Sequence, residues 1–291
     1  MTGDIDEIYI PGVLRRREPA SNGAPLVFDI PRSGAEYPRD FRSPASFNDV
    51  KSSISTYVEE LFSAAPDLGA GWLYACFPNA YIDANRNEND IDPALIEGAG
   101  PGDFAPTQKS SLGVGLIHSV TDAGGMPLQE VPISRADLAR RLDHFYWPYH
   151  NTLADMLQAH REAAGMAFHV SCHSMASVAR KVSVDAGAQR SDFDIGDGNG
   201  VTCERGFVDA VVECLSGLGY RVTFNKHFAG AECIHKHGDP QAACHSLQIE
   251  TRRGLYMDEE TYAKKPDFAK IQGDIGTLIG ALTEYASTRS R

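Results

Sequence analysis

Five short apolar runs, set apart by stretches of helical periodicity, constrain the fold of this chain more than any other feature. The runs are Pro25–Ile30, Trp72–Phe77, Met166–Ser171, Tyr220–Phe224 and His245–Glu250. All are rich in β-branched or aromatic residues and read as strands. Between them, Asp49–Phe62 carries Val50, Ile54, Val58, Leu61 and Phe62 on one helical face, and Arg205–Leu215 does the same with Phe207, Val208, Val211, Val212 and Leu215. Arg135–Glu162 reads as a long helix or helix pair, in which Pro148 removes an amide donor and predicts a kink or break. The tail, Asp267–Ser287, repeats Phe268, Ile271, Ile275, Leu278, Ile279 and Leu282 as a C-terminal helix. Strands alternating with helices predict a three-layer α/β domain.

Each run is followed by a polar cluster: Arg32-Ser33-Gly34, Asp83-Ala84-Asn85-Arg86, His173-Ser174, Asn225-Lys226-His227, and Glu250 itself. Ligands bind at the C-terminal edge of open α/β sheets, so five clusters at one edge predict a single composite site. His173, in Ser171-Cys172-His173-Ser174-Met175, stands where it could hold a metal or polarise a substrate, and a packed, hydrogen-bonded histidine fits the motif equally. Cys172 points to the opposite face of its strand. Glu250 ends a buried strand, and desolvation there raises a carboxyl toward a useful general base; an ion pair with Arg252 or Arg253 is the alternative. Arg86 beside Asn85 offers a forked cation and an amide donor suited to a carboxylate, although Glu88, Asp90 or Asp92 could pair with Arg86 instead. His235-Lys236-His237, in a loop closed by Gly238-Asp239-Pro240, reads as a chelate or as exposed loop.

With 291 residues, no linker and no internal repeat, the chain reads as one domain spanning 1–291. Pro101–Pro127 lacks periodicity and is expected to form an irregular excursion over the site. A net charge of −12 argues against nucleic-acid or anionic-membrane partners. No apolar run approaches the roughly 20 residues that span a bilayer. Met1–Glu18 places acids before Arg15-Arg16-Arg17 without an apolar stretch, unlike a secretory signal. The six cysteines are scattered with no C-x-x-C pair, so they are expected to be reduced and the chain cytoplasmic.

Several segments, taken in order, resemble the N-formylglutamate amidohydrolase family. They are Phe28–Gly34, Tyr81–Arg86, Cys172-His173-Ser174, Phe228-Ala229-Gly230 with His237–Pro240, and His245–Glu250 followed by Leu255–Asp258. The resemblance runs from about Phe28 to Met257. It implies a mixed, mostly parallel sheet between helices, like that of zinc carboxypeptidases and aspartoacylases. It also implies hydrolysis of an N-acylated acidic amino acid such as N-formyl-L-glutamate by water activated on Zn²⁺. On that pattern Glu250 is the base, Asn85 and Arg86 clamp the substrate carboxylate, and His173 ligates the metal. The chain departs from the pattern at four places. Arg32 replaces a histidine that looks like a metal ligand, Ser171 replaces an aspartate, Ser55 (or Asp49) falls where an acid is expected, and Glu232 stands for a histidine. Arginine offers only donors and cannot ligate a metal. Two readings follow: a hydrolase with a rearranged metal shell drawing on His173, Glu232, His235 or His237 and binding zinc weakly, or a silent relative that anchors an acidic small molecule through Arg32 and Arg86 without metal.

Overall fold

The computed structural model describes every residue except 1–4, 20–22, 123–124, 181–182, 184–185 and 291. Its eight strands are β1 (Ile5–Ile10), β2 (Leu14–Pro19), β3 (Leu26–Ile30), β4 (Gly71–Ala75), β5 (Ala167–Met175), β6 (Phe193–Gly196), β7 (Val222–Phe224) and β8 (Cys244–Arg252). They form one mixed sheet in the order β1-β2-β4-β3-β5-β8-β6-β7. β4, β3, β5 and β8 run parallel at its centre, while β2 and β6 pair antiparallel to β4 and β8. The helices are α1 (Phe47–Lys51), α2 (Val58–Leu61), α3 (Gln108–Ser111), α4 (Arg135–Arg141), α5 (Trp147–Ala164), α6 (Arg205–Gly217), α7 (Glu232–His237) and α8 (Phe268–Arg289).

The expected three layers form because each helix buries one apolar stripe. Phe207, Val211 and Leu215 of α6, with Ile275, Leu278 and Leu282 of α8, pack on Phe28, Val170, Leu247 and Ile249 of the sheet. Tyr149, Leu153 and Met156 of α5 cover Val27, Leu73 and Ala167 on the other face, together with Tyr81, Ile91 and Leu116 from irregular chain.

The helices and the margins of the sheet differ in part from the pattern expected. Residues 49–62 are not one helix: α1 ends at Lys51, and Tyr57, at φ 70°, precedes α2. The hydroxyl-rich stretch between them spends its hydrogen bonds elsewhere, with the Ser52 hydroxyl on the Asp49 carbonyl and the Ser55 amide on the Arg32 carbonyl. The break expected in Arg135–Glu162 takes the form of a π-helical turn, Leu142–Tyr146, between α4 and α5, with Pro148 at the second position of α5. The β1–β2 hairpin and β6 were illegible, because β1 is largely exposed and charged and β6 has only four residues. β7 runs parallel to β6 and so antiparallel to β8, and the chain turns back after it: the His227 and Phe228 amides donate to Asp194, the cross-strand partner of Glu250, at 2.8 Å.

β5 and β8 also run further than expected. His173, expected beyond the end of its strand, and Glu250, expected as the last residue of its own, are therefore cross-strand partners inside the ladder.

Candidate active site

Along β5 and β8 the side chains alternate between two buried environments. Val170, Cys172, Leu247 and Ile249 enter the apolar layer under α6 and α8. His169, Ser171, His173, Ser246, Gln248 and Glu250 lie on the opposite face, all buried. Polar groups so placed are tolerable only when hydrogen-bonded.

At the inner end of this row the network is closed. Tyr149 donates its hydroxyl to Asp29 Oδ2 at 2.7 Å, and His169 Nε2 donates to Oδ1 at 2.9 Å. Ser246 completes the histidine by bonding Nδ1 at 2.6 Å. Burial opposes the charge on Asp29, but His169 and the surrounding donors outweigh it and hold the carboxyl at about 2. Next to it, His150 Nε2 donates to the Ala84 carbonyl at 2.9 Å and its Nδ1 faces His237 Nε2 at 2.9 Å.

At the outer end the row meets the segment after β4. Gly34 lets the exits of β3 and β4 touch, since a Cβ there would collide with the Phe77 carbonyl. Asp83 is fully buried and anchors the region. Its Oδ1 accepts the Asn85 amide at 2.9 Å, and its Oδ2 meets His118 Nε2 at 3.0 Å and Arg32 Nε at 3.3 Å. Burial works against that charge, yet Arg32, Arg86 and His118 keep the carboxyl well below the usual range. Asn85 Oδ1 accepts the Cys233 amide at 2.9 Å, which turns its Nδ2 toward His173 Nε2 at 3.2 Å and Gln248 Oε1 at 3.4 Å. Ser171 Oγ lies 3.0 Å from the same His173 nitrogen. Burial, and then the charge of Arg32, push His173 down to about 3, so the ring is neutral. Gln248 Nε2 donates to Glu250 Oε1 at 3.0 Å.

Above this floor opens a cavity lined by Arg32, Arg86, Lys109, Arg180, Arg190 and Arg253, with Asp122 and Glu250 the acids among its walls. In a chain of net charge −12, the cations outnumber the acids here. Burial pushes Glu250 up to about 7 against the pull of Arg32. Burial, reinforced by Arg86 and Arg32, brings Lys109 down to about 8. Arg86 is tied by Nε to the Val114 carbonyl at 2.8 Å and by Nη1 to the Asn85 carbonyl at 2.7 Å.

The structure thus brings together Arg32, Arg86 and Glu250. Asn85 lies behind the cavity wall, where it orients His173 and Gln248. Lys109, Arg180, Arg190 and Arg253 were missed. Lys109, on α3, lines the cavity with Val114 and Asp122 of the 101–127 stretch. Arg253, weighed only as an ion-pair partner of Glu250, donates instead to Ser174 Oγ and the Ser52 carbonyl, both at 3.0 Å. Arg180 and Arg190 lie in a stretch without periodicity.

The expected metal shell does not assemble. Glu232 pairs with Lys236 at 3.0 Å, His235 is exposed beside Gly198, and His237 is turned to His150. All three sit on α7, whose backbone rather than side chains reaches Asn85. A zinc site takes at least three protein donors, and among the described residues no three His, Cys, Asp or Glu side chains could share an ion. The His173 Nε2 lone pair is turned to Asn85 and Ser171, and the guanidinium of Arg32 adds a fixed positive charge beside it. Ser55 is a buried hydroxyl against the Ser174 amide, and Asp49 belongs to the capped first turn of α1. These residues do not fit Zn²⁺.

Comparison with known proteins agrees with the resemblance seen in the sequence. The family model for N-formylglutamate amidohydrolase matches residues 24–257. An N-formylglutamate deformylase of Pseudomonas putida is 27% identical over 272 residues, covering 91% of this chain and 94% of its own length. The crystal structure of an N-formylglutamate amidohydrolase from Ralstonia eutropha JMP134 superposes with a TM-score of 0.90 at 36% identity, covering 95% of this chain and 99% of that one. A gene product of Agrobacterium tumefaciens, Atu2144, shares the fold at a TM-score of 0.62 and 19% identity, covering 91% and 92%. The protein is an amidohydrolase. It belongs to the N-formylglutamate amidohydrolase family.

Proposed function

We propose that this amidohydrolase cleaves the amide bond of an N-acylated acidic amino acid, with N-formyl-L-glutamate as the representative substrate. The observation that carries the reading is the cationic cavity with the Glu250 carboxylate buried in its wall. Cations held by backbone carbonyls keep their orientation without a counter-charge, so an incoming carboxylate supplies it. Arg86 spends Nε and Nη1 on carbonyls, which leaves Nη2 to bind the substrate carboxylate, while Lys109 adds charge across the cavity. Glu250, with Oε1 held by Gln248, takes a proton from the attacking water and returns it to the leaving nitrogen. A protein that only bound its ligand would have no use for that base, which sets the silent-relative reading aside. The relatives' names supply the acyl group and the amino acid.

Release of formate from N-formyl-L-glutamate, assayed beside N-formyl-L-glutamine and N-formyl-L-leucine, tests the reading. The acidic substrate should lead in kcat/KM. Arg86→Lys keeps the charge but loses the fork, and should cost about 1–3 kcal/mol in kcat/KM for the acid while sparing neutral substrates. Equal losses for acidic and neutral substrates would remove Arg86 from carboxylate binding.

A further inference from the structure

We infer that this enzyme breaks the amide bond without a catalytic metal ion, and that the Arg32 guanidinium polarises the scissile carbonyl in its place. The inference rests on the amidohydrolase reading above and adds the identity of the electrophile. Amide hydrolysis needs a positive group where the carbonyl oxygen gains charge and a base for the water. The base faces the cavity as Glu250, and of the guanidiniums that line the same cavity Arg32 acts most strongly on it, ahead of Arg253 and Arg190.

Three observations converge on Arg32. Its backbone is held where β3 ends, by the Ser55 amide on its carbonyl. Its side chain is aimed by Asp83, 3.3 Å from Nε, and Asp83 is itself fixed by His118 and the Asn85 amide. Asp83 is fully buried, whereas the Arg32 side chain keeps 17% of its surface exposed and lines the cavity. The neighbouring positions that could have supplied metal donors are occupied by hydroxyls, Ser55 and Ser171, and the nearby imidazole accepts hydrogen bonds.

The step balances without a further reagent. Water loses a proton to Glu250 and its oxygen bonds to the acyl carbon. The carbonyl π pair moves onto oxygen, where the guanidinium donates to it. The C–N bond then breaks, and the nitrogen leaves with the proton from Glu250. The products are the free carboxylic acid and the amine.

Metal analysis by mass spectrometry on protein purified without added metal should find well under one zinc per chain. Dialysis against a chelator should leave kcat unchanged, and calorimetric Zn²⁺ titration should show no site. Arg32→Ala should lower kcat by about 10²–10³, the scale of one lost oxyanion donor, and added guanidinium ion should restore part of it. Because Arg32→Ala leaves Asp83 with fewer partners, Arg32→Lys is the paired variant. It keeps the ion pair and should retain more turnover than alanine but less than the native protein. Near-stoichiometric zinc whose removal and return abolish and restore activity would overturn the inference and leave the hydrolase reading standing. Native turnover in Arg32→Ala would overturn it as well. Metal-free protein that hydrolyses no N-acyl amino acid would sink the hydrolase reading, and this inference with it.

Discussion

The two faces of β5 and β8 are equally buried and chemically opposite. On one, Phe168, Val170, Cys172, Leu247 and Ile249 meet the apolar stripes of α6 and α8. On the other, His169, Ser171, His173, Ser246, Gln248 and Glu250 form a polar file. The apolar face asks only for volume, and any residue of similar size can fill it. The polar face asks every atom for a partner. Its inner half finds them all within the protein, through Asp29, Tyr149 and Ser246. Its outer half reaches, at Glu250, a cavity walled by cations that leaves room for a substrate. The same two strands therefore carry a core, a structural polar cluster and a reactive edge, and substitutions at the three should fail in different ways.

The largest effect is expected at the reactive edge. Glu250→Gln retains shape and the bond from Gln248 but removes the base, so kcat should fall by about 10²–10⁴ with little change in KM or thermal stability. Single-turnover kinetics alongside a melting curve separate the two, and a variant keeping most of its turnover would take Glu250 out of the mechanism. The pH profile sharpens the point. Glu250 acts only as carboxylate, and burial sets its midpoint near 7 among Arg32, Asp194, Arg253 and Arg190, so kcat/KM should rise as pH climbs through about 7. Above about 8 Lys109 loses its charge and the profile should fall again.

The inner cluster should answer in stability alone. Asp29→Asn deprives His169 and Tyr149 of a charged acceptor and should cost about 1.5–3 kcal/mol of folding free energy, with kcat per folded molecule unchanged. The carboxyl is depressed to about 2 in the folded state, so its contribution is complete above the unfolded value near 4 and is lost as pH falls toward 2. Urea melts at pH 7 and pH 3 should show the gap between native and variant narrowing in acid. A gap that persists in acid would mean that shape, not charge, is what Asp29 supplies.

The smallest effect belongs to the apolar face. Ile249→Val, one residue before the base, removes a single methylene from the layer under α8 and should cost about 0.5–1.5 kcal/mol. Its kinetics should match the native enzyme. A drop in kcat there would show that the position of Glu250 depends on packing across the strand, and would blur the division between the two faces.

The local pattern of the chain determined the central parallel strands, α6, α8 and the layered arrangement, because apolar periodicity survives wherever an element buries one continuous stripe. It also singled out Arg32, Arg86 and Glu250, since each follows or ends such a run. It was silent on the β1–β2 hairpin, where exposure leaves no period, and on the break after Lys51, where the Ser55 amide turns to the Arg32 carbonyl. Nor could it show that β7 runs antiparallel to β8, because strand direction depends on long-range pairing that leaves no local mark. Only the tertiary structure decided which polar residues meet. Asn85 and Cys233, 148 residues apart, fix the ring of His173. His235 and His237 look like a chelating pair in the chain, but α7 exposes one and turns the other toward α5. A ligand set is a convergence of side chains from distant segments, and the pattern within each segment holds no record of it.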